Sequence, residues 1–178
     1  AELPFDAKGL LAQSLAPADF VLAPLPNTLF TRDSSCWIGE GAILDPMYWP
    51  ARREETLLLA AVYRFHPAFA GTRVWWGDAD AQPGAATLEG GDVMALAPGL
   101  VLVGMGERSS PQGVAALAKA LFAQGAAKKL IVAQLPKSRG AMHLDTVFTF
   151  CDRDLVTVYP PVIHQLRTFI VEPGDAEG

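Results

Sequence analysis

Several things are scarce in this 178-residue sequence. It has two cysteines, Cys36 and Cys151, which is too few for a disulfide framework and fits a reducing cytoplasm. No stretch approaches the roughly 20 uninterrupted apolar residues that a membrane helix needs. The first ten residues, AELPFDAKGL, lack the basic region and apolar run of a signal peptide. Positive charge is also sparse: 14 Lys and Arg against 19 Asp and Glu give a net charge of −5, with the basic residues scattered. Nucleic acid demands a concentrated basic footprint, so it is excluded as a partner. Zinc-type spacings, GxxxxGK[ST] and a GxGxxG after a strand are all missing; GMGER at 104–108 carries two glycines, too little for a nucleotide loop. The expectation is a cytoplasmic protein with no cofactor, no resident metal and no membrane or nucleic-acid contact.

What is abundant is apolar side chain. Hydrophobic residues make up 51% of the chain and mean hydropathy is +0.23. The length suits one sizeable domain and hardly two. Such a chain either buries a large core or carries apolar faces that expect neighbours, in which case self-association into a homo-oligomer is one way to cover them.

Three stretches look alike: DSSCWIGEGAILDPM from Asp33, DVMALAPGLVLVGMGER from Asp92 and DTVFTFCDRDLVTVYP from Asp145. Each opens on an aspartate, runs through a short apolar strand, turns at GEG, PG or DRD, and returns as a second strand. The aspartates stand roughly 50–60 residues apart, the period of repeated supersecondary units. Helical patterns follow the hairpins. Residues 52–66 put Leu57, Leu58, Ala61, Val62 and Phe65 on one stripe. Residues 110–125 offer Ser109 or Ser110 as cap, Pro111 at the first helical position and Gly125 past the end. Strands at 72–77 and 129–135 come next. The pattern predicts an α/β chain of strand–strand–helix–strand units, at about 24–80, 86–137 and 140–178, packed around an axis as an incomplete propeller. All of residues 1–178 form a single partial domain.

The first residues of the inner strands would face that axis. They gather Asp33, Glu89, Asp92, His143 and Asp145 into one pocket. In AMHLDTVFTF (141–150), read as a strand, His143 and Asp145 lie two positions apart and point the same way. Carboxylates held together out of water require a cation, either a metal or a guanidinium whose planar fork takes two carboxylates. Gly90 and Gly91 remove side chains where the backbone turns or a ligand approaches.

The motifs PLPNTLFTRD (24–33), PARREE (50–55), LEGGDV (88–93), GMGERSS (104–110) and MHLDTVFTF (142–150) occur in the order found in arginine deiminases, and the sequence from about 17 to 165 resembles that family. The resemblance implies the pentein fold, in which five ββαβ units surround a pseudo-fivefold axis, with about three units present here. It implies free L-arginine as substrate, and citrulline and ammonia as products. By the same resemblance Asp33 and Asp145 grip the guanidinium, Glu89 braces substrate and His143, and His143 is the general acid and base. Arg52 and Arg108 bind the α-carboxylate; Asn27, Phe30 and Asp92 complete the substrate-binding set.

In that family a cysteine thiolate attacks the guanidinium carbon and a covalent amidino-thioether is hydrolysed. Neither cysteine here is expected to serve, because Cys36 points away from Asp33 and Cys151 lies too far along the chain from Asp145. Both read as small core hydrophobes. The expectation is a central segment of an arginine deiminase with no nucleophile of its own and no turnover alone. Three other readings stay open: a dimethylarginine hydrolase or amidinotransferase of the same superfamily, a non-catalytic arginine-binding module, and a divalent-metal site at the acids.

Overall fold

The computed structural model describes residues 10–16, 19–20, 24–25, 27–77 and 84–174. The expectations for the first nine residues and for 175–178 fall outside them. In chain order the regular elements begin with two short helices, α1 (Leu10–Ser14) and α2 (Thr31–Ser34). Strands β1 (Ser35–Ile38) and β2 (Gly41–Leu44), helix α3 (Arg53–Phe65) and strand β3 (Arg73–Trp76) follow. Next come β4 (Val93–Ala97), β5 (Gly99–Met105), α4 (Pro111–Ala123) and β6 (Ala127–Gln134). The chain then runs through β7 (Phe148–Phe150), β8 (Val156–Val158), α5 (Pro160–Ile163) and β9 (Arg167–Val171).

The strand–strand–helix–strand order appears three times, and the first two occurrences pair alike. β1 is antiparallel to β2 and β2 parallel to β3; β4 is antiparallel to β5 and β5 parallel to β6. The third differs. Among the described residues β7 pairs only with β8, whereas β9 leaves that hairpin and joins the second sheet antiparallel to β6. Among the described residues the result is a mixed α/β arrangement with sheets of three, four and two strands.

Helix α4 forms where the sequence signals put it. The Ser110 hydroxyl accepts from the Gly113 N–H, Pro111 opens the first turn, and Gly125 at φ 69° reverses the chain. Its Val114, Leu117, Ala118 and Leu121 pack with Val101, Val103, Leu130 and Val132 of β5 and β6 in the main core. Trp75 of β3 belongs to the same core, and Trp76 packs against it. A second cluster under the first turn of the HLD segment joins Met94, Ala133, Leu135, Ala141, Leu144 and Val147.

Helix α3 corrects the sequence reading. Its apolar stripe faces outward, with Leu57 and Leu58 each 47% exposed and Phe65 75% exposed. The buried face is polar: Glu55 and Thr56. Specific bonds outweigh the stripe there, since the Thr56 hydroxyl donates to the Asp45 carbonyl and Glu55 holds Arg52.

The three repeating aspartates do not open strands either. Asp33 lies in α2, Asp92 in a 3-10 turn at Gly90–Asp92 and Asp145 in a 3-10 turn at Leu144–Thr146. The first two turns run directly into β1 and β4, and the third ends one residue, Val147, before β7. The extended reading of 141–147 fails for the same reason: Leu144 and Val147, three apart, both point into the core as a helical turn requires. The Thr146 hydroxyl closes that turn on the His143 carbonyl at 2.6 Å.

Candidate active site

The turns deliver their side chains to one place. His143 is buried, and its Nε2 lies 2.7 Å from Glu89 Oε2 while its Nδ1 lies 3.7 Å from Asp33 Oδ1. Glu89 is itself fully buried and takes the backbone N–H of Tyr48 on its other oxygen at 3.1 Å. Burial pushes the imidazole towards neutrality. The hydrogen bond to Glu89 and the charges of Asp92 and Asp33 more than offset it, so the His143 pKa stands above its ordinary value. His143 is therefore held ready to carry a proton while largely buried.

Gly90 and Gly91 make this packing possible, though by approach of the protein's own atoms rather than of a ligand. A Cβ on Gly91 would sit 2.8 Å from the His143 ring, and one on Gly90 would overlap the Arg32 carbonyl.

A cavity of about 520 Å³ opens over His143. Asn27, Phe30, Asp33, Arg52, Arg108 and Asp145 line it together with Leu29, Thr31, Arg32, Arg139 and Met142. Seven of the nine expected site residues thus meet at one cavity. Glu89 stands behind His143. The exception is Asp92, which lies beneath the site and lines nothing. Its Oδ2 accepts from the Ser109 hydroxyl at 2.6 Å and its Oδ1 from the Leu144 N–H at 2.7 Å. Full burial raises its pKa to about 6, against the opposing pull of the Ser109 hydrogen bond, the His143 charge and the Leu144 N–H. A direct substrate contact from Asp92 is corrected on this geometry: its oxygens are turned to the protein.

The two arginines expected to face a carboxylate are already engaged. Arg52 spends Nε and one terminal nitrogen on Glu55, at 3.0 and 2.9 Å, and gives the other to Asp33 Oδ2 at 2.9 Å. Arg108 reaches Glu89 at 3.5 Å and Glu107 at 3.3 Å, with its guanidinium over the Trp49 ring. Arg32 and Asp145 approach to 3.9 Å. Burial, reinforced by Asp33 and opposed by His143 and Arg32, raises the Asp145 pKa. Glu55, Ser109, Arg32 and Arg139 were missed in the sequence. A signal existed for Glu55, which follows Arg52 by three positions at a helix start. Ser109 and Ser110 were alternatives for the helix cap; Ser110 caps, and Ser109 turns inward.

Ligand atoms of Asp33, Glu89 and His143 lie within 4.8 Å of one another, close enough to hold a divalent ion. The guanidinium of Arg52, 2.9 Å from Asp33 and 3.9 Å from Glu89, already supplies countercharge there, and Arg108 lies 3.5 Å from the same Glu89 oxygen. Neither cysteine joins the cavity. Cys36 is buried, its thiol raised well above the ordinary value first by burial and then by Asp45. Cys151 is exposed on the β7–β8 hairpin with its Sγ 3.0 Å from the Thr157 hydroxyl, so its reading as a core residue is corrected: the five-residue turn carries it out to solvent.

A sequence profile described as arginine deiminase matches residues 2–177. The chain belongs to the arginine deiminase family. Solved structures of related folds match as well. The N-terminal domain of ArgZ, bound covalently to a reaction intermediate, is 24% identical at a TM-score of 0.60, covering 77% of this chain and 46% of that one. A second ArgZ structure, with product bound, is described as an arginine dihydrolase of cyanobacteria. DDAH from Pseudomonas aeruginosa, complexed with citrulline, is 21% identical at a TM-score of 0.56, covering 75% of this chain and 47% of that one. AgrE with L-arginine is 22% identical at 0.58, covering 78% and 18%. The chain therefore spans less than half the length of these proteins. Family membership and shared fold agree on a mixed α/β fold similar to that of these enzymes.

Proposed function

We propose that this chain is the guanidinium-binding part of an arginine deiminase, which converts L-arginine and water to L-citrulline and ammonia, within a pentein propeller of five ββαβ units. The observation that carries the reading is His143 locked between Glu89 and Asp33 on the wall of a cavity that also presents Asp145. A guanidinium is a poor electrophile because resonance spreads its charge. Asp33 and Asp145, which line the cavity together with His143, would fix its plane and draw its charge towards the nitrogens they hold, lowering the barrier by several kcal/mol through positioning. Asp33 keeps lone pairs for this while bonded to Arg52, since each carboxylate oxygen accepts twice.

His143 would give its proton to the departing ammonia. In the second half of the reaction it would take one from the water that hydrolyses the amidino-thioether. Glu89 stabilises the charged imidazole throughout. The attacking thiolate comes from outside these 178 residues, because Cys36 is buried and Cys151 stands on an exposed hairpin.

The test is citrulline production from arginine by the intact protein that carries this chain, beside its His143→Ala variant. Loss of at least about 100-fold in kcat/KM is expected of a missing acid–base group. Equal rates would remove His143 from the chemistry. The fold shared with DDAH makes dimethylarginine the competing substrate, and its kcat/KM measured in parallel decides between them.

A further inference from the structure

Arg32 and Asp145 stand where two cavities meet. One is the cavity over His143. The other, of about 540 Å³, is lined by residues of β1, β4 and β7, among them Trp37, Met94 and Phe150, and shares only Arg32 and Asp145 with the first. The two aspartates of the first cavity are held differently. Asp33 is tied to Arg52 by a hydrogen bond of 2.9 Å. Asp145 accepts no hydrogen bond among the described residues, and the cation paired with it, Arg32, stops at 3.9 Å.

Arg32 is held back by β4. Its Nη2 donates to the Val93 carbonyl at 2.6 Å, at the first residue of that strand. Its root is fixed as well, because the Arg32 carbonyl lies against Gly90 so closely that a Cβ there would overlap it. A guanidinium anchored in this way is near enough to lend Asp145 its charge, yet too far away to occupy the carboxylate's lone pairs. The charge matters at this place, since burial and Asp33 both disfavour the ionised acid, while His143 and Arg32 oppose them. We infer that Arg32 is a positioning residue: strapped to the β4 backbone, it lends its charge to Asp145 and leaves that carboxylate free to bond the guanidinium of the substrate.

This rests on the arginine deiminase reading and deepens it. The intact protein that carries this chain and its Arg32→Gln and Arg32→Lys variants are to be compared for kcat and KM on L-arginine, across pH and at low and high salt. Glutamine keeps an N–H donor and loses the charge; lysine keeps the charge. The glutamine variant should lose roughly fivefold in kcat/KM, the upper range for a half-exposed ion pair, mostly through KM. The lysine variant should stay within about twofold of the wild type. The glutamine deficit should shrink as salt rises.

The acidic limb of the kcat/KM profile should move to higher pH in the glutamine variant and stay in place with lysine, because without the cation Asp145 keeps a proton to higher pH. The other charges around Asp145 are unchanged in all three proteins: His143 on its own turn, Asp33 on α2, and Arg52, Arg108 and Arg139 at the same cavity. A strap to a neutral carbonyl and nothing more would show neither the salt nor the pH effect. The Arg32 side chain is 55% exposed, so the variants keep the fold, which circular dichroism checks. In a wild type that turns over arginine, a glutamine variant as active as lysine, or a deficit that salt and pH leave untouched, overturns the assignment of Arg32 alone. A wild type without turnover overturns the function on which it rests, and the assignment with it.

Discussion

Ser109 and Asp92 knot together the three segments that carry the site. The Ser109 hydroxyl donates to Asp92 and accepts from the Glu89 N–H at 3.1 Å, while Asp92 takes the Leu144 N–H next to His143. None of these atoms touches the cavity, yet their charge reaches it, for Asp92 is among the groups that raise the His143 pKa. Ser109→Ala removes the bond that favours the Asp92 carboxylate, so Asp92 stays protonated to higher pH and His143 loses a stabilising charge. The imidazole titration followed by NMR should move down, and stability should fall by about 1–3 kcal/mol for the buried groups left unpaired. An unmoved His143 titration would leave Ser109 a packing role only. Single residues show both what the sequence could disclose and what it could not. The acids, His143 and the two glycines stood out by type and spacing. Asp92 looked identical to Asp33 and Asp145, because nothing in a linear pattern says whether a carboxylate at the end of a turn faces a cavity or a neighbouring N–H.

At the scale of elements, helix α4 was legible because its signals are local: cap, proline and terminal glycine act within a few residues. Helix α3 was not. Its apolar stripe predicts an inward face, whereas the helix turns inward the side that bonds to Arg52 and the Asp45 carbonyl. The aspartate-bearing turns were missed for a related cause. One helical turn before a strand has no period to read, and only the recurrence of aspartate marked it. Gly113 in α4 makes the same contrast testable. Alanine is the better helix former by about 1 kcal/mol, but a Cβ there would overlap the backbone of Thr87, which runs against the first turn of α4 and donates its N–H to the cap Ser110. Gly113→Ala should therefore destabilise, by about 1–3 kcal/mol as an overpacked contact, seen as a lower urea midpoint. A higher midpoint would mean that the backbone at Thr87 yields easily.

For the molecule as a whole, the acids under and around His143 set a pH dependence opposite to the common one. Asp92 titrates at about 6 rather than near 4, and Asp145 and Asp45 are raised by burial too. Asp45 Oδ2 is buried with no hydrogen-bond partner among the described residues. His143 is raised as well. For each group the folded state binds more protons than the unfolded state between the two pKa values. Stability is thus highest at acid pH and falls as pH rises, first from about 4 to about 6 through Asp92, and then through the raised His143 value above about 6.5. Asp92 alone accounts for about 3 kcal/mol across its window, two pKa units at about 1.4 kcal/mol each. Growing net negative charge acts in the same direction, so a control is needed. Asp92→Asn keeps an acceptor for the Leu144 N–H and cannot titrate. Urea midpoints from about pH 4 to about pH 8 should fall steeply in the wild type and less steeply in this variant, the difference being largest in the lower half of the range and smaller in the upper half, where His143 has lost the Asp92 charge. A wild type that gains stability with rising pH would mean that the acids are ionised and well paired in the fold, and that the imidazole is not held in its charged form.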